Sequence, residues 1–393
     1  MNPGQLFRRL IWRLLALAIL AGGAYAAFVR FTQGLGAATN LSDTYPWGIW
    51  IGFDVLCGVG LAAGGFAITS AVYILHIEQL RPVVRPAVLT AFLGYVLVVV
   101  ALMLDLGKPW NIWRPVVMWN PRSVMFEVAW CVMLYTAVLA LEFSPNVFNR
   151  LGWQRAEKAV KSLVVPLVGL GFLLSTLHQS SLGSLYLILP TKLHALWYSP
   201  LLPALFFLSA IATGLGMVIF ESSMSARAFG RALEGHLLAK IAKAQGLFLG
   251  LYLFLRFWDL GWRGSLPPAF VLSGAGAMEA AMFWVENGLF LLALGLVLAP
   301  QVRQNSQYRF WASVTVIGGF LMNRLNVSLT GLEAAAGVRY VPSWMEVSVT
   351  ASIVVLGIAL FALAAKHLPI FPPETPHALP SAAPQPVEAG HHA

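Results

Sequence analysis

The chain has 393 residues, of which 59% are hydrophobic and 10% are charged, and its mean hydropathy is +0.75. A composition this apolar excludes an ordinary soluble globular domain and indicates an integral membrane protein. The formal net charge of +9 does not point to nucleic acid, because the basic residues are spread over several loops rather than gathered in one patch.

Ten apolar segments are long enough, at about 20 residues each, to cross a hydrocarbon core about 30 Å thick as helices. The sequence therefore predicts an all-α integral membrane protein with about ten transmembrane helices in a polytopic domain covering residues 1–367. The stretch 368–393 is rich in proline and alanine and has the composition of a disordered cytoplasmic tail. The predicted segments are 10–31, 50–75, 86–105, 123–142, 160–178, 201–221, 241–258, 280–300, 309–328 and 344–365.

The loop charges predict how these helices are oriented, because cytoplasmic loops carry an excess of lysine and arginine. With the N-terminus inside, the inner loops and inner helix ends hold most of the basic residues, and the outer loops hold few. We therefore expect an even number of spans in a bacterial inner membrane, with both termini in the cytoplasm. The inner basic residues are Arg8, Arg9, Arg13, Arg81, Arg85, Arg150, Arg155, Lys158, Lys161, Arg227, Arg231, Lys240, Lys243, Arg303, Arg309 and Lys366.

The first segment also has the features of a cleavable signal peptide. Basic "FRRLIWR" precedes apolar "LLALAILAGG" and the small-residue "AYA". The apolar run continues through Phe28 and Val29, which favours a retained first helix.

A weak internal repeat is visible. The motif "DLGKPW" begins at Asp105 and "DLGWRG" begins at Asp259, and each is followed by a similar stretch, "MFEV" after the first and "MFWVE" after the second. A parallel duplication of a four-helix unit would produce this pattern. We therefore predict two four-helix bundles plus extra helices, with the repeats at about residues 50–180 and 201–328.

Three ionisable residues inside the apolar segments are candidates for a functional site, because such groups are costly in a bilayer. We place Asp54 in the second helix, Glu127 near the start of the fourth and His178 at the outer end of the fifth, all in the outer third of the membrane. Reduction of a quinone needs hydrogen-bond donors and a proton-delivering acid at one depth. The sequence therefore predicts a quinone site with Glu127 and His178 as the catalytic residues and Asp54 as a further contact.

Structural alternatives exist for the two acids. Asp54 could instead form an ion pair with Arg324 or Arg256, and Glu127 could be satisfied by a neighbouring helix. Two further acids, placed at the inner ends of the fourth and sixth helices, could begin a proton route from the cytoplasm or could simply be solvated. These are Glu142 and Glu221.

His178 could also cap a helix end by hydrogen-bonding with Gln179 and Ser180, or it could bind haem. A membrane haem needs two facing axial ligands, and the other histidines lie in loops, at inner helix ends or in the tail, although a methionine partner stays open. The two cysteines, Cys57 and Cys131, cannot supply the four thiolates of an iron–sulfur cluster. We therefore predict no haem, no cluster and no metal site. The other histidines are His76, His194, His236, His367, His377, His391 and His392.

Several stretches resemble the NrfD-type polytopic membrane subunits, especially those of periplasm-facing nickel–iron hydrogenases. They are "YPWGIWIGFD", "VVRPA", "SVMFEVAW", "LEFSPNVFNRLGW", "TLHQSSLGSL" and "LRFWDLGWR", and they cover most of the chain from Tyr45 onward. The resemblance implies a subunit that receives electrons from a periplasmic ferredoxin-like iron–sulfur partner, with the hydrogenase small and large subunits further out. It also implies a menaquinone or ubiquinone bound beside Glu127 and His178. The motif "LDLGKPW" departs from the family pattern, since Lys108 replaces an arginine.

Other functions remain open at this stage. The equivalent subunit of a molybdenum or multihaem complex would oxidise quinol instead. A secondary transporter would fit the internal repeat, and a passive membrane anchor would fit the hydropathy. The subunit of a molybdenum or multihaem complex would differ from our prediction in the direction of electron flow. A passive anchor would not need acids and an imidazole at one depth of the membrane.

Overall fold

The structure is a computed structural model, and it describes residues 3–188, 191–231 and 235–371. Within these ranges the regular structure is helical, apart from an isolated bridge between Ser42 and Tyr45, which confirms the all-α class. The predicted tail lies outside the described residues from position 372 onward. The long helical segments are α1 (Pro3–Gln33), α2 (Trp50–Tyr73), α3 (Arg81–Asp105), α4 (Val124–Leu151), α5 (Val164–Leu187), α6 (Leu202–Phe229), α7 (Gly235–Trp262), α8 (Ala277–Leu298), α9 (Ser306–Leu325) and α10 (Trp344–His367).

Nine of these segments, counted over the described residues, are long and apolar enough to cross a membrane. The exception is α9, whose hydropathy is lowered by buried polar residues such as Arg309, Asn323 and Arg324. α9 nevertheless packs lengthwise against α6 and α8 inside the bundle. The prediction of a multi-pass membrane protein with about ten helices is therefore confirmed.

The fifth predicted segment ends too early. We expected it to stop at residue 178, but α5 continues to Leu187. The hydroxyls of Thr176, Ser181 and Ser184 donate to carbonyl oxygens four residues earlier, at 2.8, 2.8 and 3.2 Å. Because these polar side chains are satisfied by their own helix, the helix does not need to reach water where the sequence becomes polar.

Two more helices extend beyond their predicted ends. α4 continues to Leu151 and α6 to Phe229, and each stops at a glycine with positive φ, Gly152 at 74° and Gly230 at 67°. A left-handed residue at this position is a common helix terminator that glycine adopts without steric cost. Consequently the predicted acids of these helices lie about two turns inside them rather than at their ends.

The helices pack as two neighbouring groups. α2 to α5 contact one another in one group, α6 to α9 contact one another in the second, and α1 pairs with α10 against α2 and α3. We call the side on which α1 begins the basic side. The opposite side, where the long connections 107–123, 188–201 and 263–276 lie, is the loop side.

A close crossing of α2 and α6 joins the two groups. A Cβ placed on Gly64 would stand 2.6 Å from the carbonyl oxygen of Gly214, and one placed on Gly214 would stand 2.6 Å from the carbonyl carbon of Ala63. Only glycine allows two backbones to approach so closely. Together with the packing of α5 against α6, this contact holds the two groups against each other.

Positions 154 residues apart share local structure. Asp105 and Asp259 occupy equivalent places at the ends of α3 and α7. At the same spacing, the Trp130 indole donates to the carbonyl of Pro115 at 2.9 Å, and the Trp284 indole donates to the carbonyl of Ala269 at 2.7 Å. The duplication itself and its boundaries stay a prediction.

Candidate functional site

His178 lies inside α5, with a fully buried ring. Nine residues separate it from the loop-side end of the helix, which places it about 14 Å below that end at 1.5 Å per residue. The ring packs edge-on against Tyr95 of α3, with centroids 5.7 Å apart, and Tyr95 packs edge-on against Tyr135 of α4 at 4.7 Å. Three helices therefore contribute rings to one layer of the interior.

This layer carries polar atoms without partners. Both ring nitrogens of His178 are buried without a hydrogen bond in the described structure. The hydroxyls of Tyr95, Tyr135 and Ser175 and the carbonyl oxygen of the Gln179 side chain are buried close to one another, but without a well-formed hydrogen bond. Leaving such groups unpaired in an apolar setting costs on the order of a few kcal/mol each. We call these five residues the His178 cluster, and their chemistry suits a ligand that both accepts and donates hydrogen bonds.

The helix-cap interpretation of His178 is wrong. The Gln179 side chain donates to the carbonyl of Val59 on α2 at 3.1 Å, and the carbonyl of Ser180 accepts from Ser184. Neither contact involves the imidazole. Gln179 instead links α5 to α2 beside the cluster.

Asp54 sits in a π-helical segment, Trp50–Cys57, which opens α2. Its buried carboxylate accepts a hydrogen bond from Thr350 of α10 at 2.8 Å, while the other oxygen, Oδ1, has no partner. The proposed ion pair with Arg324 or Arg256 is wrong, since the ion pairs of the described residues do not include Asp54. π-helical turns occur frequently at functional sites because the extra residue redirects side chains.

A hydrogen-bonded network at the loop side holds the start of this π segment. The backbone carbonyl of Glu346 accepts from the Trp50 indole at 3.1 Å, and its carboxylate accepts from the hydroxyl of Tyr340 and the backbone nitrogen of Asn40. Burial, followed by the bond to Glu346, raises the pKa of Tyr340, so its hydroxyl stays a donor at neutral pH. Residues far apart in sequence therefore position Asp54.

Glu127 occupies the first turn of α4 and is partly exposed. Ser123 caps this helix by accepting from the backbone nitrogen of Phe126. Three residues of rise place Glu127 about 5 Å below the start of α4.

The expectation that the three predicted residues share one narrow depth is wrong for His178. Asp54 and Glu127 both lie within about 5 Å of the loop-side ends of their helices, whereas His178 is about 9 Å deeper. The error follows from the length of α5, because the prediction ended this helix at the histidine. The structure gives no direct contact among the three.

Glu142 lies inside α4 and connects the basic side to the His178 cluster. It lines a cavity of about 610 Å³ together with the basic residues Arg81, Arg85 and Lys161. A Cβ placed on Gly171 of α5 would stand 3.3 Å from Oε1 of Glu142 and 3.4 Å from Cε2 of Tyr135. Glu142 therefore has a polar cavity on one side and a ring of the cluster on the other.

Glu221 is held separately, on α6. Its carboxylate accepts a hydrogen bond from the hydroxyl of Thr90 on α3. The structure therefore does not bring Glu221 into the cavity that Glu142 lines. The prediction that both acids end their helices is wrong, because both helices continue for about two more turns.

A buried ionic network fills the loop-side half of the second group. Glu286 of α8 pairs with Arg256 of α7 at 2.6 Å, and its carboxylate also accepts from the indole of Trp197 at 3.0 Å and from the amides of Asn323 and Asn326 at 2.8 Å. With four donors, this carboxylate is fully satisfied. The network therefore fits a structural role that ties α7, α8 and α9 to the connection before α6.

Arg324 is the other fully buried cation of this half. It donates to Asn323 at 2.6 Å and to the hydroxyl of Ser209 at 3.0 Å, and its guanidinium lies 3.6 Å from the ring centroid of Phe206. Within the described residues it forms no ion pair with a carboxylate. The π-helical segment Asn326–Thr330 follows it directly.

Sequence reasoning missed most of the His178 cluster. Tyr95, Tyr135, Ser175 and Gln179 are neutral, so a search for charged residues inside apolar segments passes over them. A tyrosine in the middle of an apolar helix is nevertheless a signal, because its hydroxyl needs a partner when buried. Spacing along one helix could not show that the two tyrosines meet His178, since they belong to other helices.

The structure does not bring a second described histidine opposite His178 as an axial ligand of a haem. The other described histidines lie in connections or near helix ends. No group of three histidine, cysteine, aspartate or glutamate side chains in the described ranges could hold a metal ion. The prediction that this chain carries no haem and no iron–sulfur cluster stays a prediction.

The fold and the site define a polytopic helical membrane protein with ionisable and phenolic groups buried among its helices. The model of the family described as "Polysulphide reductase, NrfD" matches residues 37–335, and the chain belongs to this family. Its similarity to individual proteins extends over nearly the whole chain, as three relatives illustrate.

A protein of Nitratidesulfovibrio vulgaris is 39% identical over 94% of this chain and 95% of its own length. The "Probable Ni/Fe-hydrogenase 2 b-type cytochrome subunit" of Escherichia coli is 36% identical over 88% of each chain. The "Menaquinone reductase, integral membrane subunit" of Nitratidesulfovibrio vulgaris is 28% identical over 94% of each chain. The relatives with such names are membrane subunits of oxidoreductase complexes.

Proposed function

We propose that this chain is the quinone-reactive membrane subunit of a respiratory oxidoreductase complex, in which it passes electrons from a partner on the loop side to membrane quinone. The observation that carries this proposal is the His178 cluster, a buried set of donors and acceptors without partners. Quinone reduction consumes two electrons and two protons, so its carbonyl oxygens need such donors. The printed names of two relatives, a menaquinone reductase subunit and a hydrogenase subunit, support the same function.

The proposed headgroup site extends from His178 toward Glu127. The two residues belong to α4 and α5, which pack against each other, so one headgroup is proposed to reach both. His178 and Tyr95 donate at the deep end, and Glu127, which is partly exposed at the loop side, acts at the shallow end. Asp54, with its unpaired Oδ1, is a further wall of the site.

The cavity beside Glu142 provides the proposed entry for protons. A proton taken up from the basic side reaches Glu142, is passed to the hydroxyl of Tyr135, whose ring also lies beside Gly171, and continues through the hydroxyls of Ser175 and Tyr95 to His178. Buried carboxyl and phenol groups at close spacing are suited to relay protons. Glu221, bonded to Thr90, belongs to a second proposed route from the same side.

The orientation follows from the distribution of charge. The basic side faces the cytoplasm of a bacterial inner membrane, and both termini lie there. Electrons then arrive from the periplasm while protons are drawn from the cytoplasm, so that each turnover moves charge across the membrane. Quinone reduction in this arrangement contributes to proton translocation.

The loop side is the proposed docking surface for a periplasmic ferredoxin-like iron–sulfur subunit, with hydrogenase small and large subunits beyond it. Large apolar side chains are exposed there, which marks an interaction surface when they are grouped. A molybdenum or multihaem complex that oxidises quinol is the alternative partner. The exposed residues include Trp110, Trp113, Trp119, Trp262 and Leu272.

The experiment compares quinone-linked with dye-linked activity of the complex purified with this chain. We expect Glu127→Gln and His178→Ala to leave assembly and dye-linked oxidation intact while quinone-linked oxidation falls by about two orders of magnitude, as for a lost acid–base group. Glu279→Gln is the matched control, because Glu279 is an acid in the first turn of α8. Normal quinone reduction by both variants contradicts the site.

The electron donor tests the partner. Hydrogen-dependent dye reduction by the purified complex supports the hydrogenase assignment. Quinol oxidation without hydrogen-dependent activity supports the molybdenum or multihaem type instead.

A further inference from the structure

A groove runs between α7 and α8 on the outside of the second group. It encloses about 840 Å³, and its walls are apolar and small, with Gly246, Gly250, Leu251, Phe254 and Leu298 among them. Leu251, Phe254 and Leu298 are exposed at the surface that faces lipid. The end of the groove on the basic side is positively charged, unlike its apolar walls.

Three cations surround that end, and the lining contains no acid. Lys240 and Lys243 lie on the first turns of α7, and Arg303 lies on the short helix Pro300–Gln304 that follows α8. Arg303 donates to the carbonyl of Val297 at 3.0 Å, which fixes it beside the groove. The combination of an apolar groove with a cationic end matches the two parts of a phospholipid with an anionic headgroup.

The length of the groove also fits one leaflet. From Lys240 to Phe254 the axial rise is about 21 Å, compared with about 15 Å for half of a hydrocarbon core. A headgroup held by the cations would therefore place its acyl chains along Gly246 and Gly250 as far as the bilayer centre. Such chains would fill the space beside Gly250, where the nearest atom to an added Cβ would be 3.9 Å away.

The surface between α3 and α4 offers a comparison with the groove. If the predicted duplication holds at the spacing of 154 residues, Phe92 and Phe143 correspond to Gly246 and Val297. The two phenylalanine rings stack 5.8 Å apart and fill the surface between α3 and α4, whereas a Cβ on Gly246 would already stand 2.9 Å from Val297 Cγ2. Small residues thus make a groove where large ones would fill it.

We propose that the groove binds one anionic phospholipid, with its headgroup at Lys240, Lys243 and Arg303 and its acyl chains against α7 and α8. A transmembrane helix of another protein is the competing occupant. Its cytoplasmic flank would carry an excess of lysine and arginine by the same rule that orients this chain. Those charges would meet three cations, so the lipid is favoured.

The proposal does not depend on the quinone function, and it is tested by native mass spectrometry of the purified complex. We expect the wild type to retain phosphatidylglycerol or cardiolipin at a defined stoichiometry and to release phosphatidylethanolamine. The triple variant Lys240→Gln, Lys243→Gln, Arg303→Gln should bind the anionic lipid at least about tenfold more weakly. The charge-matched control is Arg150→Gln, Arg155→Gln, Lys158→Gln, which removes basic-side cations away from the groove and should retain the lipid.

A second variant tests the groove itself. Gly250→Leu fills it while leaving the cations in place, because the nearest atom to its Cβ is 3.9 Å away, and we expect it to lose the lipid. Gly169→Leu on α5, which meets no atom within 4 Å, is the control. The proposal is overturned if the variant without the three groove cations retains as much lipid as the wild type. It is also overturned if this variant and its charge-matched control lose lipid equally, or if another protein's helix co-purifies and cross-links at Leu251→Cys.

Discussion

The rings of Tyr95 and His178 lie 5.7 Å apart at an interplanar angle of 66°, and neither imidazole nitrogen has a hydrogen-bond partner among the described residues. An imidazole from α5 with unpaired nitrogens therefore meets, in the interior, a phenol from α3 whose hydroxyl lies close to the side chains of Ser175 and Gln179. This arrangement suits a bound ligand that exchanges hydrogen bonds or protons with both groups.

Removing the Tyr95 hydroxyl tests this role. Tyr95→Phe should leave the melting temperature almost unchanged, because the buried hydroxyl that it deletes makes no well-formed hydrogen bond. Quinone-linked turnover should fall about tenfold or more, as expected when a proton-transferring group is lost. Tyr186→Phe, which deletes another buried unpaired hydroxyl outside the cluster, should keep full turnover. Equal rates in the two variants would place Tyr95 outside the reaction.

Glu142 is predicted to take up protons for the cluster. Glu142→Gln should slow quinone-linked turnover about tenfold or more while dye-linked activity persists. In proteoliposomes, the uptake of protons from the basic side should slow in proportion. Glu157 lines the same cavity but pairs with Lys161 at 2.6 Å, so Glu157→Gln is the control and should behave as wild type. If Glu157→Gln slowed quinone-linked turnover and Glu142→Gln did not, Glu142 would not be the residue that takes up protons.

The Arg256–Glu286 pair should matter for stability. Glu286→Gln leaves a buried guanidinium without its carboxylate, which typically costs about 3–5 kcal/mol, and should lower the melting temperature of the detergent-solubilised protein. The double variant Arg256→Met, Glu286→Met should lose less than the sum of the two single losses, because neither member of the pair is then left as an unpaired buried charge. If the double variant loses the sum of the two single losses, the two residues are not coupled.

The α2–α6 crossing should tolerate no side chain. Gly214→Ala would place a Cβ 2.6 Å from the carbonyl carbon of Ala63, so the backbones must separate. We expect a loss of folded protein in fluorescence-detected size-exclusion chromatography. Gly169→Ala, on an open helix surface, should fold normally. A well-folded Gly214→Ala variant would show that the two groups can move apart.

The sequence predicted the number, order and class of the helices, because long apolar runs have few alternatives in a membrane. It also identified Asp54, Glu127 and His178 as ionisable residues within the helices, of which Asp54 and His178 are buried and Glu127 is partly exposed. It placed His178 at the wrong depth, since the polar run after Leu174 was interpreted as the approach to water. In the structure the hydroxyls of that run bond to the preceding turn of their own helix.

Contacts between distant helices could not be predicted at all. Thr350, which donates to Asp54, is 296 residues away in the chain. Glu286 appeared in the sequence only as part of a repeat, whereas its four donors come from α7, α9 and two connections. Such partners depend on tertiary packing, and the periodicity of one segment carries no information about which other helices it contacts.

The most direct test of the quinone site is photoaffinity labelling of the purified complex with an azido-quinone, followed by peptide mapping. The account predicts label on α4 and α5, in peptides that contain Glu127 or His178, with displacement by excess menaquinone and loss of label in His178→Ala. Label confined to α7, α8 and α9 around Arg256 and Arg324, with the first group unlabelled, would contradict it.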